Sequence, residues 1–298
     1  MVDSTPGFSG DLNGAFAAVS DPVRVDILRE LVAHARETDT PVCRFSDLRE
    51  RVGIDDPGRF RYHLDKLVGR YVERADDGYQ LTYAGGEIVA AILAGRYASH
   101  EPVGPTQLDS ECPLCGSTVV GTYENRRLDV HCESGHPRLS WPLPPNAAVD
   151  ATVDDLARLS TSLVLHAVDL SLQGVCSQCY GTTTTRIELD DDETSMPGFR
   201  ACCETCVGVV VGPAWFAITV HPAVEAFYHE HRRPIRDALL WELHQIEYEP
   251  TPSGDEGVRL VMTLDDEVLC VTLSETGTVL DTTVNPVEEH QSNPDTCQ

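Results

Sequence analysis

Two Cys-x2-Cys knuckles, Cys176-Ser177-Gln178-Cys179 and, after a gap of 23 residues, Cys203-Glu204-Thr205-Cys206, constrain the fold of this chain more than any other feature. Four thiolates at that spacing suit one tetrahedral zinc ion, which can staple a ribbon too poor in apolar residues to hold itself together. Cys202 competes with its neighbour, and the knuckle spacing favours Cys203. A second set, Cys112-Pro113-Leu114-Cys115 followed after 16 residues by Cys132-Glu133-Ser134-Gly135-His136, has the spacing of a site with three cysteines and one histidine. His131 competes with His136 there, but adjacent residues of a strand point to opposite faces, which sets His131 against Cys132. Four protein ligands leave no position for a reacting water, so both sites are expected to be structural, with two zinc ions per chain and no catalytic residue. Cys43 and Cys270 lack spaced partners and read as small buried hydrophobes, while Cys297 lies in the tail. With no signal peptide in view, the eleven cysteines do not read as a disulfide framework.

Upstream, residues 46 to 85 follow a specific order. Ser46 is placed to cap a short helix with Asp47 in its first turn and Leu48 and Val52 on one face, and Gly53 stops it. Ile54 then fills an inter-helix angle, Asp55 or Asp56 caps a second helix, and Pro57 sits in its first turn, where a missing N–H costs nothing. This helix, read as 57 to 68, turns Phe60, Leu64, Leu67 and Val68 inward. Its remaining side carries Arg59, Arg61, Tyr62, His63 and Lys66, with Arg70 just beyond. Tyr71-Val72-Glu73-Arg74 and Tyr79-Gln80-Leu81-Thr82 read as strands joined around Asp76-Asp77-Gly78, and Arg74 lies on this hairpin. Helix, turn, basic helix and hairpin make a winged helix-turn-helix. Arginine and lysine on such a helix can reach phosphates or the O6/N7 edge of guanine in the major groove. The expected DNA-contacting residues are therefore Arg59, Arg61, Tyr62, His63, Lys66, Arg70 and Arg74.

Residues 10 to 98 resemble the ArsR-like winged-helix regulators. The resemblance runs through Ala18-Val19-Ser20-Asp21-Pro22-Val23-Arg24-Val25-Asp26-Ile27-Leu28, Phe60-Arg61-Tyr62-His63-Leu64-Asp65-Lys66-Leu67 and Asp77-Gly78-Tyr79-Gln80-Leu81-Thr82. It implies a homodimer that sets two recognition helices into successive major-groove faces of a pseudo-palindromic site. Metal-sensing members carry a Cys-Val-Cys pair in the first helix of the motif, where this chain has Leu48-Arg49-Glu50, so arsenic-type sensing is not carried over. The second half is similar to the C-terminal region of ArsR-like proteins from haloarchaea, through the knuckles at 176 to 206 and His221-Pro222-Ala223-Val224-Glu225-Ala226-Phe227-Tyr228 with Trp241-Glu242-Leu243. That similarity names no effector.

A formal charge of −26 ordinarily argues against a polyanionic partner. The charge is uneven, however. Residues 1 to 100 hold 12 basic and 16 acidic side chains, residues 101 to 298 hold 10 and 32, and the stretch from Arg44 to Arg74 holds 8 and 6. One lysine, Lys66, against 21 arginines, together with this acidity, reads as a protein of a high-salt cytoplasm. There the Debye length falls to roughly 3 Å, so distant carboxylates repel DNA only weakly and base contacts carry more of the affinity.

The expected fold class is α+β: a winged helix-turn-helix at 10–98, a small module with three cysteines and one histidine at 108–145, an α+β domain at 150–285 with the four-cysteine zinc ribbon inserted at 176–206 and antiparallel strands at its end, and a flexible tail at 286–298. Gly104-Pro105 and the run from Trp141 to Asn146 read as connections. Leu12 to Val19 and a segment opening at Asp21-Pro22 read as helices. A helix from Val153 to Leu172 turns Leu156, Leu159, Leu163, Val164, Ala167 and Leu170 inward, and strands are expected at 182–189, 241–249, 257–264, 267–273 and 279–283, with short helices from His221 and over 235–241. No segment approaches the 18 to 20 apolar residues that span a bilayer, so a cytoplasmic chain without a membrane partner is expected. The expected function is a homodimeric regulator that binds specific double-stranded DNA and takes an effector the sequence does not name. A protein-interaction adaptor is the alternative. A metal enzyme using His221, Glu225, His229 and His231 is the other, but no HExxH order, serine elbow, phosphate loop or dinucleotide fingerprint accompanies them.

Overall fold

Among the described residues, four of the five helices in the first third of the chain begin at a side-chain cap that the sequence supplies, and the third, Phe45–Val52, is the exception. The computed structural model describes residues 11–189, 196–243, 246–249 and 257–287. Asp11 accepts the Gly14 N–H to open α1 (Leu12–Ala18), and Asp21 accepts the Val23 N–H ahead of Pro22 to open α2 (Pro22–Thr38). α3 (Phe45–Val52) starts two residues earlier than a Ser46 cap predicts. Arg44 is its N-cap residue and makes no side-chain cap bond, while Ser46 donates to the Asp47 carboxylate within the first turn. Gly53 ends α3 in the left-handed conformation, and Arg49 Nη1 donates to the Ile54 and Asp55 carbonyls at 2.8 Å, fixing the turn. Asp56 then caps α4 (Pro57–Asp65) through the Gly58 and Arg59 N–H groups. α4 ends three residues before the expected Val68, yet the turn that follows still delivers Leu67 to the core.

Ile27, Leu28, Leu48, Phe60, Leu64, Leu67 and Val72 are fully buried in one cluster. Arg51 clamps α3 to α2, its Nε on Glu30 at 3.0 Å and its two terminal nitrogens on Glu37 at 2.9 and 3.1 Å. β1 (Val72–Ala75) pairs antiparallel with β2 (Gly78–Leu81), with Ala75 opposite Gly78, so the turn is Asp76-Asp77 and Gly78 belongs to the strand. Its missing side chain serves a different purpose. Cys43 and Tyr79 exchange both backbone hydrogen bonds at 2.9 Å, and a Cβ on Gly78 would stand 2.2 Å from the Cys43 carbonyl oxygen. Thr82 caps α5 (Tyr83–Leu93) through the Gly85 N–H.

The chain divides into two compact units, residues 1–99 with 144–147 and residues 100–143 with 148–298. Residues 108–143 of the cysteine-histidine segment and the 150–285 region, separate in the sequence, therefore share one unit, while residues 144–145 fall in the other. In that unit β3 (Val103–Glu111), β4 (Thr118–Glu124), β5 (Arg127–Cys132) and β6 (Pro137–Pro142) form an antiparallel meander, and Gly104-Pro105 lies in β3. β7 (Thr183–Glu188), β8 (Gly198–Cys203) and β9 (Val209–Pro213) form a second sheet. A fixed register relates the two sheets. Val119 faces Cys132 across β4 and β5, and Thr183 faces Cys203 across β7 and β8, each partner lying four residues past the second cysteine of the first knuckle. Leu128 and Val130 before Cys132, and Phe199 and Ala201 before Cys203, are buried at matching positions. The two modules are one structural repeat.

α6 (Val153–Leu172) spans the expected residues and packs against both sheets. A capping box starts it: Thr152 Oγ1 accepts the Asp155 N–H, and the Asp155 carboxylate accepts the Thr152 N–H. Its buried face differs from the expected leucine stripe. Leu156, Val164 and Ala167 are buried as expected, but Leu159 is exposed, whereas Ala157, Ser160, Thr161 and Ser171 are buried, because a helix pressed against two sheets carries small residues at its closest approaches. Thr161 Oγ1 accepts the Leu240 N–H, and Ser171 Oγ donates to the Ala167 carbonyl.

α7 (Pro222–Glu230) follows, with His221 as its N-cap. The helix expected over 235–241 is instead a pair of 3-10 turns, Ile235–Asp237 and Leu240–Leu243. Trp241, read from sequence as the start of a strand, is buried in the second turn and donates its indole N–H to Ser110 at 2.8 Å. β10 (Ile246–Glu249), β11 (Val258–Leu264), β12 (Glu267–Leu273) and β13 (Val279–Pro286) complete an antiparallel sheet in sequential order. Cys270 is buried in β12 but carries a disulfide bond, a correction to its reading as a lone hydrophobe. β13 runs to Pro286, and the rest of the expected tail from 288, Cys297 included, lies outside the described residues. The architecture is mixed α+β. No helix among the described residues is long and apolar enough to cross a membrane.

Candidate metal centres and nucleic-acid interface

Cys112, Cys115, Cys132 and His136 bring one ligand atom each into a group whose members all lie within 4.8 Å of one another, and so do Cys176, Cys179, Cys203 and Cys206. In the first group, Cys115 Sγ is 3.7 Å from Cys132 Sγ, and His136 Nδ1 is 3.7 Å from Cys112 Sγ and 3.4 Å from Cys132 Sγ. In the second, Cys176 and Cys206 are 3.7 Å apart and Cys179 and Cys203 are 3.5 Å apart. Sulfurs about 2.3 Å from a tetrahedral zinc ion stand about 3.8 Å from each other, so both groups have the dimensions of the ion they would hold. Both ambiguous positions are resolved: Cys203 and His136 join the groups, and Cys202 and His131 do not.

Backbone N–H groups aim at the sulfurs as they do at thiolates. Thr205 and Cys206 N–H groups donate to Cys203 Sγ at 3.3 Å, Gly208 to Cys206 Sγ at 3.2 Å, Gln178 to Cys176 Sγ at 3.4 Å and His136 to Cys132 Sγ at 3.3 Å. Gly208 cannot be replaced without disturbance, since a Cβ there would lie 2.9 Å from Cys176 Sγ. The N–H groups of Cys206 and Thr205 hold the Cys203 thiol down at about 6. Four thiolates this close repel one another, and Cys206 is pushed up to about 12: the Gly208 N–H favours its thiolate, but Cys179, burial and the other two cysteines outweigh it. A divalent cation removes that repulsion. Ser117, which the spacing of ligands does not signal, lies with its hydroxyl 3.0 Å from Cys115 Sγ and 3.2 Å from the Ser134 hydroxyl, and it holds Cys115 down at about 5.

The histidine cluster does not converge. His221 Nδ1 accepts the Ala223 N–H, His231 Nδ1 lies 2.8 Å from the Phe227 carbonyl with Nε2 3.5 Å from Glu267, and Glu225 pairs with Arg236 at 3.3 Å. Among the described residues, the two cysteine groups are the sets that could hold a metal ion.

The basic residues of the first unit divide by task. Arg59, Arg61, Tyr62 and Lys66 are exposed on α4 and the turn beyond it, with Arg61 stacked over Phe45 at 4.8 Å and Lys66 over Tyr62 at 5.6 Å. His63 is turned inward: its side chain is 11% exposed, and its buried Nδ1 sits 3.5 Å from Asp21 without a hydrogen bond. Arg70 donates to the Asp11 carbonyl at 3.1 Å, and Arg74 pairs with Asp65 at 3.2 Å in the open. Of the eight basic residues between Arg44 and Arg74, Arg49 and Arg51 are already committed to the turn after α3 and to the clamp on α2.

No curated protein matches the chain. Residues 13–92 match the family model described as Domain of unknown function (DUF7347). Residues 109–279, more than half of the chain and including both cysteine groups, match the one described as Domain of unknown function (DUF7351), and the chain belongs to that family.

Proposed function

We propose that the chain is a homodimeric regulator that binds specific double-stranded DNA in the cytoplasm, with two structural zinc ions per chain. In this reading residues 10–98 are a winged helix-turn-helix, α4 is its recognition helix, and β1 and β2 form the wing. The observation that carries it is the division of α4: Phe60 and Leu64 are fully buried, while Arg59, Arg61 and Tyr62 stand exposed and Lys66 follows at the end. A helix held by one face and basic on the other fits the major groove. His63, packed toward Asp21, positions the helix rather than reading bases. The cysteine modules are closed four-ligand sites, which suits zinc as a folding element and gives no place for catalysis.

The test is genome-wide DNA occupancy followed by footprinting in high salt with the wild type and an Arg59→Ala, Arg61→Ala double variant. The variant should keep its fold and lose sequence-specific protection, each lost base contact costing about 1–3 kcal/mol. Unchanged protection overturns the assignment of these residues. A folded wild-type chain with no preferred DNA site supports the adaptor reading instead.

A further inference from the structure

The two cysteine modules end in strands that are edges of their sheets. β6 closes the order β3-β4-β5-β6 and β9 closes β7-β8-β9. Residues of both strands, equivalent in the repeat, line one cleft of about 570 Å³ within the second unit. Its walls are mostly apolar: Trp141 and Leu139 from β6, Val209 and Val211 from β9, with Phe216 and Val164 behind. Val209 and Val211 are about half exposed, at 50% and 53%, although they lie in a strand.

The charged side chains of the cleft are cationic, and its other polar side chains, Ser140 and Gln178, are neutral. Arg127 and Arg138 line it, and among the described residues no carboxylate does. That is a marked departure for a region of 10 basic and 32 acidic side chains. Elsewhere in the unit Arg158, Arg186, Arg200, Arg233 and Arg236 each sit on a carboxylate, while Arg259, away from the cleft, has a buried Nε without a hydrogen-bond partner. Arg138 sits on none, and its Nε is likewise buried with no hydrogen-bond partner. Arg127 donates only to the neutral Ser140 hydroxyl, at 2.8 Å, and that hydroxyl in turn donates to Asp129 at 2.5 Å, outside the lining. A guanidinium nitrogen taken out of water and left unpaired is costly, and an anion is what removes the cost.

We propose that this cleft binds a small, largely apolar molecule carrying a single carboxylate, its hydrocarbon body against Trp141, Phe216 and the β9 valines and its carboxylate on Arg138 and Arg127. The volume falls in the range of small-molecule sites. An added peptide strand fits less well, since Pro137 and Pro142 bound the β6 edge and Pro213 ends β9, which leaves only short stretches for backbone pairing. As a binding site the cleft stands whether or not the first unit reads DNA; as the effector site of a regulator it rests on the proposed function.

Titration of the full chain in molar KCl with decanoate, and with decanol as its uncharged counterpart, tests the proposal without DNA. Calorimetry should show saturable binding of about one decanoate per chain, at least about tenfold tighter than decanol. Trp141→Phe should remove the accompanying change in tryptophan fluorescence. Arg138→Gln should weaken decanoate about tenfold or more and leave decanol unaffected, whereas Arg158→Gln, away from the cleft, should change neither. Should Arg138→Gln fail to fold, Val209→Trp, which fills the cleft from an exposed position, should abolish binding with the zinc content intact. The proposal is overturned by no saturable carboxylate binding at millimolar concentration, by equal affinity for decanoate and decanol, or by unaltered binding in both cleft variants.

Discussion

Cys179 Sγ and Cys203 Sγ stand 3.5 Å apart, while Cys202, the next residue back along the chain, is outside the group. A strand alternates its side chains, so two neighbouring cysteines at the end of β8 cannot both serve one ion. Cys203→Ser should therefore leave the purified protein with about one zinc ion, and Cys202→Ser with about two. Zinc binding supplies folding energy on the order of 10 kcal/mol in small modules, so the first variant should also open its module to proteolysis before the rest of the chain unfolds. Elemental analysis and limited digestion read both effects. Equal zinc in the two variants would remove Cys203 from the site.

Gly78 offers a test of why the hairpin is built as it is. Its sequence context suggested a turn glycine, but the turn is Asp76-Asp77 and Gly78 lies where Cys43 closes against Tyr79. Gly78→Ala should destabilise the first unit by about 1–3 kcal/mol, the usual range for forcing extra volume into a packed site. Asp77→Gly, in the turn itself, should be far milder. Thermal unfolding of the two variants compares them directly, and a neutral Gly78→Ala would mean that the Cys43 bridge yields without loss.

What the sequence made legible follows a physical division. Local chemistry was readable: Asp21 and Asp56, each ahead of a proline, cap the helices expected after them, and knuckle spacing picked out the ligands that converge. Contacts made at a distance were not. Ser160 and Thr161 stand outside the apolar period yet are buried where α6 approaches two sheets, while Leu159, which fits that period, is exposed. Arg49 and Arg51 contributed to a basic stretch that looked available for DNA, yet they bond a carbonyl pair and two glutamates that only the folded chain brings near. The repeat of the two modules was hidden for a similar reason. It lies in register and burial, and their sequences share little besides the knuckles.

The cap of α6 sets an expectation for acid. Thr152, through its hydroxyl and its N–H, holds the Asp155 carboxyl below its ordinary 3.8. A carboxylate depressed in the folded state adds stability that is present above the unfolded pKa and lost as pH falls through the folded one. Asp155→Asn should thus be less stable than wild type near neutral pH, with the difference constant down to about pH 5 and shrinking through and below 3.8. Denaturant unfolding across that range would show it, and a gap that widened in acid would contradict the assigned cap. Thr152→Ala should cost about 1 kcal/mol at neutral pH by losing the other half of the box.

Assembly is the most direct test of the regulatory reading. Ile88, Val89, Ile92, Leu93 and Tyr97 recur along the chain at spacings of one, three and four, as one apolar stripe of a helix would, and folding divides that stripe. Val89 is buried and Ile88 packs on the core, whereas Leu93 and Tyr97 remain 40% and 78% exposed. α1 likewise leaves Leu12 and Phe16 exposed at 71% each. Apolar side chains left in water on two helices are the residue types that a second copy would cover, and a pseudo-palindromic DNA site requires matching two-fold symmetry in the protein. The chain should sediment as a dimer in molar salt, where screened acidic surfaces no longer oppose contact. Leu93→Glu with Tyr97→Glu should yield folded monomers whose DNA affinity falls with the loss of the second half-site. A wild-type monomer at micromolar concentration would sink the dimer, and with it the expectation of a two-fold operator.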